Sequence, residues 1–318
     1  MNLDNNPFLT DYPFHLIKTE HFEPALRQGM ERHNEEIAAI VNQPAAPDFA
    51  NTIVALEKSG GLLNRVSTVF GNLLSAETSD EMQAIAEKMM PLLSEHSNNI
   101  TLNEKLFARI KTVYETTDKE TLSQEDRMLL QTTYDGFIRS GANLTPEQKE
   151  RFRQISAEMS VLTLRFSQNN LKETNSYELP LQPDQLAGLP ESALNAYAET
   201  AKEKGKEGYI VTLQAPSFVP FMKYSQHREL RQQLYMAYNT QCTHDNEYNN
   251  LEIVKKLVNL RLERAQLLGF STAADYVLTR RMAENSGNVY QLLNQLLEAY
   301  TPTAHREVEE VTALAKKL

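Results

Sequence analysis

Gly208-Tyr209-Ile210-Val211-Thr212-Leu213, closed by Ala215-Pro216, is the stretch that decides the fold. It is a β-branched and aromatic run in a chain that elsewhere repeats its apolar residues at helical spacing. Upstream, Ser176-Tyr177-Glu178-Leu179-Pro180-Leu181 alternates in the same way, and Pro180 confines it to an edge because proline offers no ladder donor. The two runs are expected to pair as a hairpin that spans one helix. That helix is opened by Leu189-Pro190-Glu191 and closed by Lys202, Lys204 and Gly205, with cations at its negative end and glycine just past it. The expected class is mainly α, a multi-helix domain with one small β-hairpin element. An exposed strand edge can capture an extended peptide through its backbone groups, although pairing within the protein is the commoner use.

Toward the N-terminus the chain reads as helices with short breaks. Phe22, Leu26, Met30, His33, Ile37 and Ile40 make one apolar face, with Pro24 in the first turn. A second helix is expected from about Thr52, with Gly60-Gly61 inside it as a point of weakness or close packing. Thr78 with Glu81 reads as a capping box, Pro91 as a kink, and Asn103 and Ser123 as caps of the next two helices, the latter ending near Gly141. Thr145-Pro146-Glu147-Gln148 is the clearest start: a capping hydroxyl, proline in the first turn, and an amide three residues after the cap. Phe152, Ile155, Met159, Leu162 and Phe166 then form a stripe whose ordinary reading is a buried helix seam.

Periodicity is lost between Lys172 and Pro190, so the chain is divided into a helical region, 1–175, and a second helical region, 176–318, with strands near 176–181 and 208–214. Downstream, Phe218 to Tyr238 reads as helical and Leu251 to Leu268 as a long helix, with Ser271 capping the next turn and Ser286 or Asn288 the last helix. The final stripe, Val308, Val311, Ala315 and Leu318, stops without glycine, asparagine or any stop signal, the pattern of a helix cut in mid-course. The strand run and its neighbours Tyr209, Val211, Leu213, Phe221 and Tyr224 are the candidate lining of a binding channel.

Composition excludes several classes. A formal net charge of −10 repels phosphate backbones and anionic lipid, which argues against nucleic acid or a membrane surface as partner. No window approaches the roughly 18 apolar residues of a membrane span, and Met1-Asn2-Leu3-Asp4-Asn5-Asn6 lacks the basic and apolar regions of a secretory signal. A leader already removed would leave the same picture, so a cytoplasmic and a periplasmic or exported location are both open. The single cysteine, Cys242, excludes an intrachain disulfide and reads as inert.

The chemical motifs are mostly absent. The seven histidines are His15, His21, His33, His96, His227, His244 and His305, and no two are four apart, so H-E-x-x-H cannot be made. His227-Arg228-Glu229-Leu230-Arg231 comes near it but ends in a cation. G-x-S-x-G and Walker A sequences are also missing. No catalytic residue and no metal ligand is therefore assigned.

A different kind of signal lies in the wording of the sequence. Ala201-Lys202-Glu203-Lys204-Gly205, Gly208 to Leu213, Pro220-Phe221-Met222, Leu260-Arg261-Leu262-Glu263, Leu267-Leu268-Gly269-Phe270 and Arg281-Met282-Ala283 resemble the N-terminal half of the M3 zinc metallopeptidases, nearer the bacterial peptidyl-dipeptidases than oligopeptidase A. Asn6-Pro7-Phe8, His21-Phe22-Glu23-Pro24-Ala25, Phe70-Gly71-Asn72-Leu73 and Asn103-Glu104-Lys105-Leu106-Phe107 agree with it. The resemblance implies a helical enzyme with a deep channel, short peptides as substrates, and zinc held by H-E-x-x-H plus a further glutamate. Those ligands lie beyond the family segment that matches here. The resemblance thus implies zinc in a full-length parent, none in this chain, and a C-terminal catalytic half as this chain's own partner, with this half a non-catalytic wall of the channel.

Two other readings stay open. A free-standing helical peptide-binding or scaffold protein needs no zinc motif, and an enzyme with a noncanonical metal site would hold metal stoichiometrically. The truncated-enzyme reading expects an exposed apolar patch near residues 289–318, and the scaffold reading does not.

Overall fold

The computed structural model describes residues 14–317; the segments Met1–Asn6 and Asn6-Pro7-Phe8 and the stripe residue Leu318 lie outside them. The described chain forms two compact units, one reaching through Asn143 and resuming at Arg153–Leu257, the other made of Leu144–Phe152 and Val258–Leu318. The periodicity break at 175/176 falls within the first unit.

In the first unit, helix α1 (Phe22–Asn42) packs on α3 (Gly61–Ala76) and α4 (Asp80–Thr101). Their apolar stripes meet in a core of Phe22, Leu26, Val66, Phe70, Ala86 and Met89. Phe22 and Phe70 lie with ring centroids 5.2 Å apart, and burying each such side chain contributes about 1.5–3 kcal/mol. The closeness of α1 to α3 depends on Gly29, because a Cβ there would lie 2.9 Å from the Cα of Leu63. The expected uninterrupted second helix is instead broken. Asp48 caps a wide helical turn, Phe49–Val54, by accepting the Asn51 amide at 2.7 Å, and a short α2 (Ala55–Lys58) follows. Gly60 then takes φ +70°, a left-handed conformation, before α3 begins.

A second core joins α5 (Glu104–Thr116) and α6 (Gln124–Arg139) to Ile37 and Ile40 of α1. Asn103 and Ser123 cap these helices as expected, but the cap of α4 is Ser79, accepting from the Met82 amide, while Thr78 accepts from the Gln83 side chain. Neighbouring hydroxyls can each serve as cap, and the first to reach the N3 amide decides. Helix α4 runs through Pro91.

Helix α7 (Pro146–Ser176) starts with the reciprocal bonds expected of Thr145 and Gln148. After it, β1 (Leu179–Leu181) and β2 (Tyr209–Val211) pair antiparallel, Leu179 opposite Val211 and Leu181 opposite Tyr209. Helix α8 (Glu191–Glu203) lies between them in sequence and against β2 in space. The single helix expected over Phe218 to Tyr238 is two, α9 (Ala215–Tyr224) and α10 (Arg228–Asn239). Their break is held from outside: the Gln226 amide donates to Ala187 O at 3.0 Å and the Arg231 guanidinium to Ser225 O. Helix α11 follows at Leu251–Leu267.

In the second unit, Arg151 grips Glu263 with two bonds of 2.5 and 2.6 Å, and the Arg264 guanidinium stands 5.6 Å from the Phe152 ring and 5.5 Å from the Tyr276 ring. Thr272, one residue after the expected Ser271, caps α12 (Ala273–Leu278). Asn285, rather than Ser286 or Asn288, caps α13 (Ser286–Ala315), which runs through Pro302.

Candidate functional site

The hairpin sits over a core built from both strands and from α8, α9 and α10: Leu179, Leu181, Tyr197, Val211, Leu213, Phe221 and Leu234. A serine fastens the strand to α9, for the Thr212 amide donates to Ser217 Oγ at 2.9 Å. Tyr197 is buried edge-on to Phe221, 6.5 Å between centroids, and its hydroxyl donates to Ser217 O at 3.0 Å. Burial pushes that phenol up to about 12, so it serves as a neutral donor.

The five residues expected to line a channel divide by exposure. Val211, Leu213 and Phe221 are at most 2% exposed, Tyr209 is half-buried against the same core, and Tyr224 is 43% exposed at the end of α9. Tyr224 is held by its backbone. Gly188, at φ +86°, passes so close that a Cβ would lie 2.3 Å from Tyr224 O. Beside it the surface carries Val219, Tyr235, Met236 and Tyr238, with Tyr238 stacked on Phe218 at 4.3 Å. Tyr235, Met236 and Tyr238 belong to α10 and Val219 to α9, so the exposed patch is shared by the two helices on either side of the break.

A cleft of about 750 Å³ opens beside the hairpin, lined among others by Glu173, Tyr177, Leu213, Met236, Thr240 and His244. Its floor is Glu173, near the end of α7. One carboxylate oxygen accepts the His244 Nδ1–H at 2.7 Å, and the other accepts the backbone N–H of Cys242. Burial works against ionising Glu173, but the hydrogen bonds from His244 and Cys242 outweigh it and hold the carboxyl below its ordinary range. Cys242 takes φ +57°, and its thiol is pushed up to about 11, by burial first and then by the neighbouring carboxylate. A nucleophilic thiol needs the opposite environment.

Glu173, His244 and Thr240 have the spacing of a carboxylate–imidazole–hydroxyl relay, with His244 Nε2 3.1 Å from Thr240 Oγ1. The chemistry is not that of a nucleophile. The Thr240 hydroxyl also donates to Met236 O at 2.7 Å, and Thr240 caps the C-terminal, negative end of α10, where an alkoxide or oxyanion is disfavoured. The arrangement is a tether for the loop after α10. No sequence signal marked it, since Glu173 and His244 stand 71 positions apart. Among the described residues no three His, Cys, Asp or Glu side chains converge to hold a metal ion, so the donor set here does not fit a catalytic zinc. No helix among the described residues is long and apolar enough to cross a membrane.

In the second unit, α13 has no buried residue, and Tyr290, Leu293, Leu297, Tyr300, Val308 and Val311 are 51–67% exposed. The apolar patch expected near residues 289–318 is present through Leu314.

Residues 221–318 match peptidase family M3. Oligopeptidase A of Haemophilus influenzae is 31% identical over 310 residues, covering 96% of this chain and 45% of that protein. Dipeptidyl carboxypeptidase of Escherichia coli is 32% identical over 313 residues, covering 98% and 46%, and that of Salmonella typhimurium 34% over 297, covering 93% and 43%. The chain therefore spans a little under half the length of these relatives. These matches, and a helical architecture with a single antiparallel hairpin among the described residues, make the chain similar to proteins of peptidase family M3 over nearly all its length, with the family's own pattern matched at residues 221–318.

Proposed function

We propose that this chain is the N-terminal, non-catalytic part of a zinc-dependent peptidase that hydrolyses short peptides, as a peptidyl-dipeptidase or oligopeptidase, and that it forms one wall of the substrate channel. One observation carries the reading. Nearly the whole chain aligns with proteins named as peptidases, yet it accounts for only 43–46% of each of the three compared. In this reading the zinc and its general base belong to the half of the relatives that this chain does not cover. The apolar face of α13 is the surface on which the chain's own C-terminal catalytic half packs, because a face of this size has no reason to remain in water. On the wall, Tyr209 and Tyr224 meet the peptide, while Val211, Leu213 and Phe221 support them from beneath.

Zinc content and cleavage of quenched-fluorescent peptides, measured for the 318-residue chain and for a polypeptide extended by the C-terminal half of a family M3 relative, test the reading. The chain alone should hold no stoichiometric zinc and cut nothing, while the extended polypeptide cuts and stops on chelation. Cleavage or tightly held zinc in the chain alone refutes it. Peptide retention without cleavage by both polypeptides favours a helical peptide-binding scaffold instead.

A further inference from the structure

His33 lies on the apolar stripe of α1 and meets His96 of α4, with ring centroids 5.0 Å apart and His96 Nε2 3.1 Å from His33 Nδ1. His96 is 7% exposed. The other nitrogen of His33, Nε2, is 3.2 Å from Ser59 Oγ, and Ser59 Oγ is 2.7 Å from Leu56 O. The direction of every bond in this series can be deduced from its last member. A carbonyl only accepts, so the Ser59 hydroxyl donates to Leu56 O and its oxygen accepts from His33 Nε2–H. A neutral imidazole carries one N–H, so His33 Nδ1 is bare and accepts from His96 Nε2–H. The series ties α4 to α1 and α1 to the turn before α3. Glu36, one turn on from His33, strengthens the same grip by accepting the Gly60 amide at 2.7 Å.

We propose that His33, His96 and Ser59 form a proton-sensitive latch, which holds α4 and the Ser59–Gly60 turn to α1 while both rings are neutral and releases them on acidification. A first proton on His33 Nδ1 either opposes the His96 Nε2–H across 3.1 Å or shifts His96 to its Nδ1–H tautomer, and a second proton leaves two N–H groups facing each other with no acceptor between them. Adding a proton to His96 Nδ1 places a charge on a ring that is 7% exposed. Burial accordingly lowers both rings' proton affinity; Glu36 opposes this at His33, and His33 adds to it at His96. Glu36 is itself paired with Arg32, Nε to Oε1 at 3.3 Å. Arg27 and Glu31 of α1 and Glu95 of α4 stand in the cleft over His96, and the turn contributes only Ser59 and Gly60. Because the closed state binds protons less readily than the open one, the latch is at full strength above the free imidazole value of about 6.5 and weakens as pH falls below it.

Native-state hydrogen exchange of the whole 318-residue chain, corrected for intrinsic rates, reads the opening of α1 and α4 directly. Between pH 6.5 and 5, opening should grow about tenfold per pH unit for each proton taken up. His96→Gln keeps a donor for His33 Nδ1 and can rotate to accept from a protonated ring, so its exchange should be nearly flat over that range. Equal slopes in parent and variant overturn the proposal. Nitrogen-15 spectra of the parent's imidazoles give a second test that needs no variant. At pH 8 both rings should carry their proton on Nε2, and a proton on His33 Nδ1, or titration of both rings at the free value, would refute the latch.

Discussion

Replacing Glu173 should loosen the loop after α10 and wake a dormant thiol together. In Glu173→Ala, two hydrogen bonds to a charged acceptor vanish, one from His244 and one from the Cys242 amide. Such bonds are worth about 1.5–3 kcal/mol each. The His244 side chain is 49% exposed and recovers part of its loss from water, whereas Cys242 is 5% exposed and its N–H is left orphaned, costing about 1–3 kcal/mol. The expected destabilisation of the first unit is therefore about 3 kcal/mol, measured by urea unfolding. Glu173→Gln retains a carbonyl for the Cys242 amide and should lose roughly half as much, about 1–2 kcal/mol. The second readout is Cys242 itself. With its thiol pushed up to about 11, only about one molecule in a thousand is thiolate at pH 8, and labelling by a disulfide reagent is slow. Removing the carboxylate deletes the two lesser causes of that shift and leaves burial, the largest, so labelling of Glu173→Ala should accelerate several-fold. The parent's stability from Glu173 is present above the ordinary glutamate range and is lost as pH falls through the lowered native value. If Glu173→Ala unfolds within about 0.5 kcal/mol of the parent and labels at the same rate, the tether does not hold the loop.

Other perturbations have equally definite outcomes. Gly60→Ala must adopt φ +70° and place its methyl 2.8 Å from the His33 ring, so thermal or urea unfolding should show a loss of about 2–4 kcal/mol. Phe221→Ala empties a fully buried site and should cost about 3–5 kcal/mol, while Tyr224→Ala, at an exposed position, should stay within about 1 kcal/mol by the same assay. If Tyr224 faces a peptide, its alanine variant in the extended enzyme should raise KM at unchanged stability. Leu293→Glu with Leu297→Glu should preserve far-UV helicity while reducing hydrophobic-dye binding and concentration-dependent association, because both side chains lie on the exposed face of α13.

Local chemistry made much of the fold legible. Asn103, Ser123 and Thr145 cap where the sequence places them because the capping hydroxyl or amide and the amide it accepts are three residues apart. Pro180 marks an edge because a missing donor is a local fact. What the sequence hid was settled at a distance. Nothing in Phe218 to Tyr238 announces the break before His227, which is held by Ala187 and by the Arg231 side chain. Gly60-Gly61 read as a weak helix interior, and only the approach of His33 shows why the first glycine must be left-handed. The site was less legible than the fold. The apolar alternation of the hairpin shows which residues seek cover without saying how much remains open, and Tyr224 and Val211 look equally suited until α8 and α9 close over the strand. Glu173 and His244 are ordinary helix and loop residues until the chain brings them together.

Gly29 sits in the middle of a 21-residue helix, where glycine costs about 1 kcal/mol relative to alanine. Ordinary drift should have replaced it, since a single-base change restores a better helix former. Yet the methyl would collide with the neighbouring main chain, which cannot swing aside as a side chain can. Nothing crowds Gly71 or Gly136 in the same way. Across lineages, position 29 should therefore stay fixed while those two wander, a difference in tolerated variation that pairwise identity alone would not reveal.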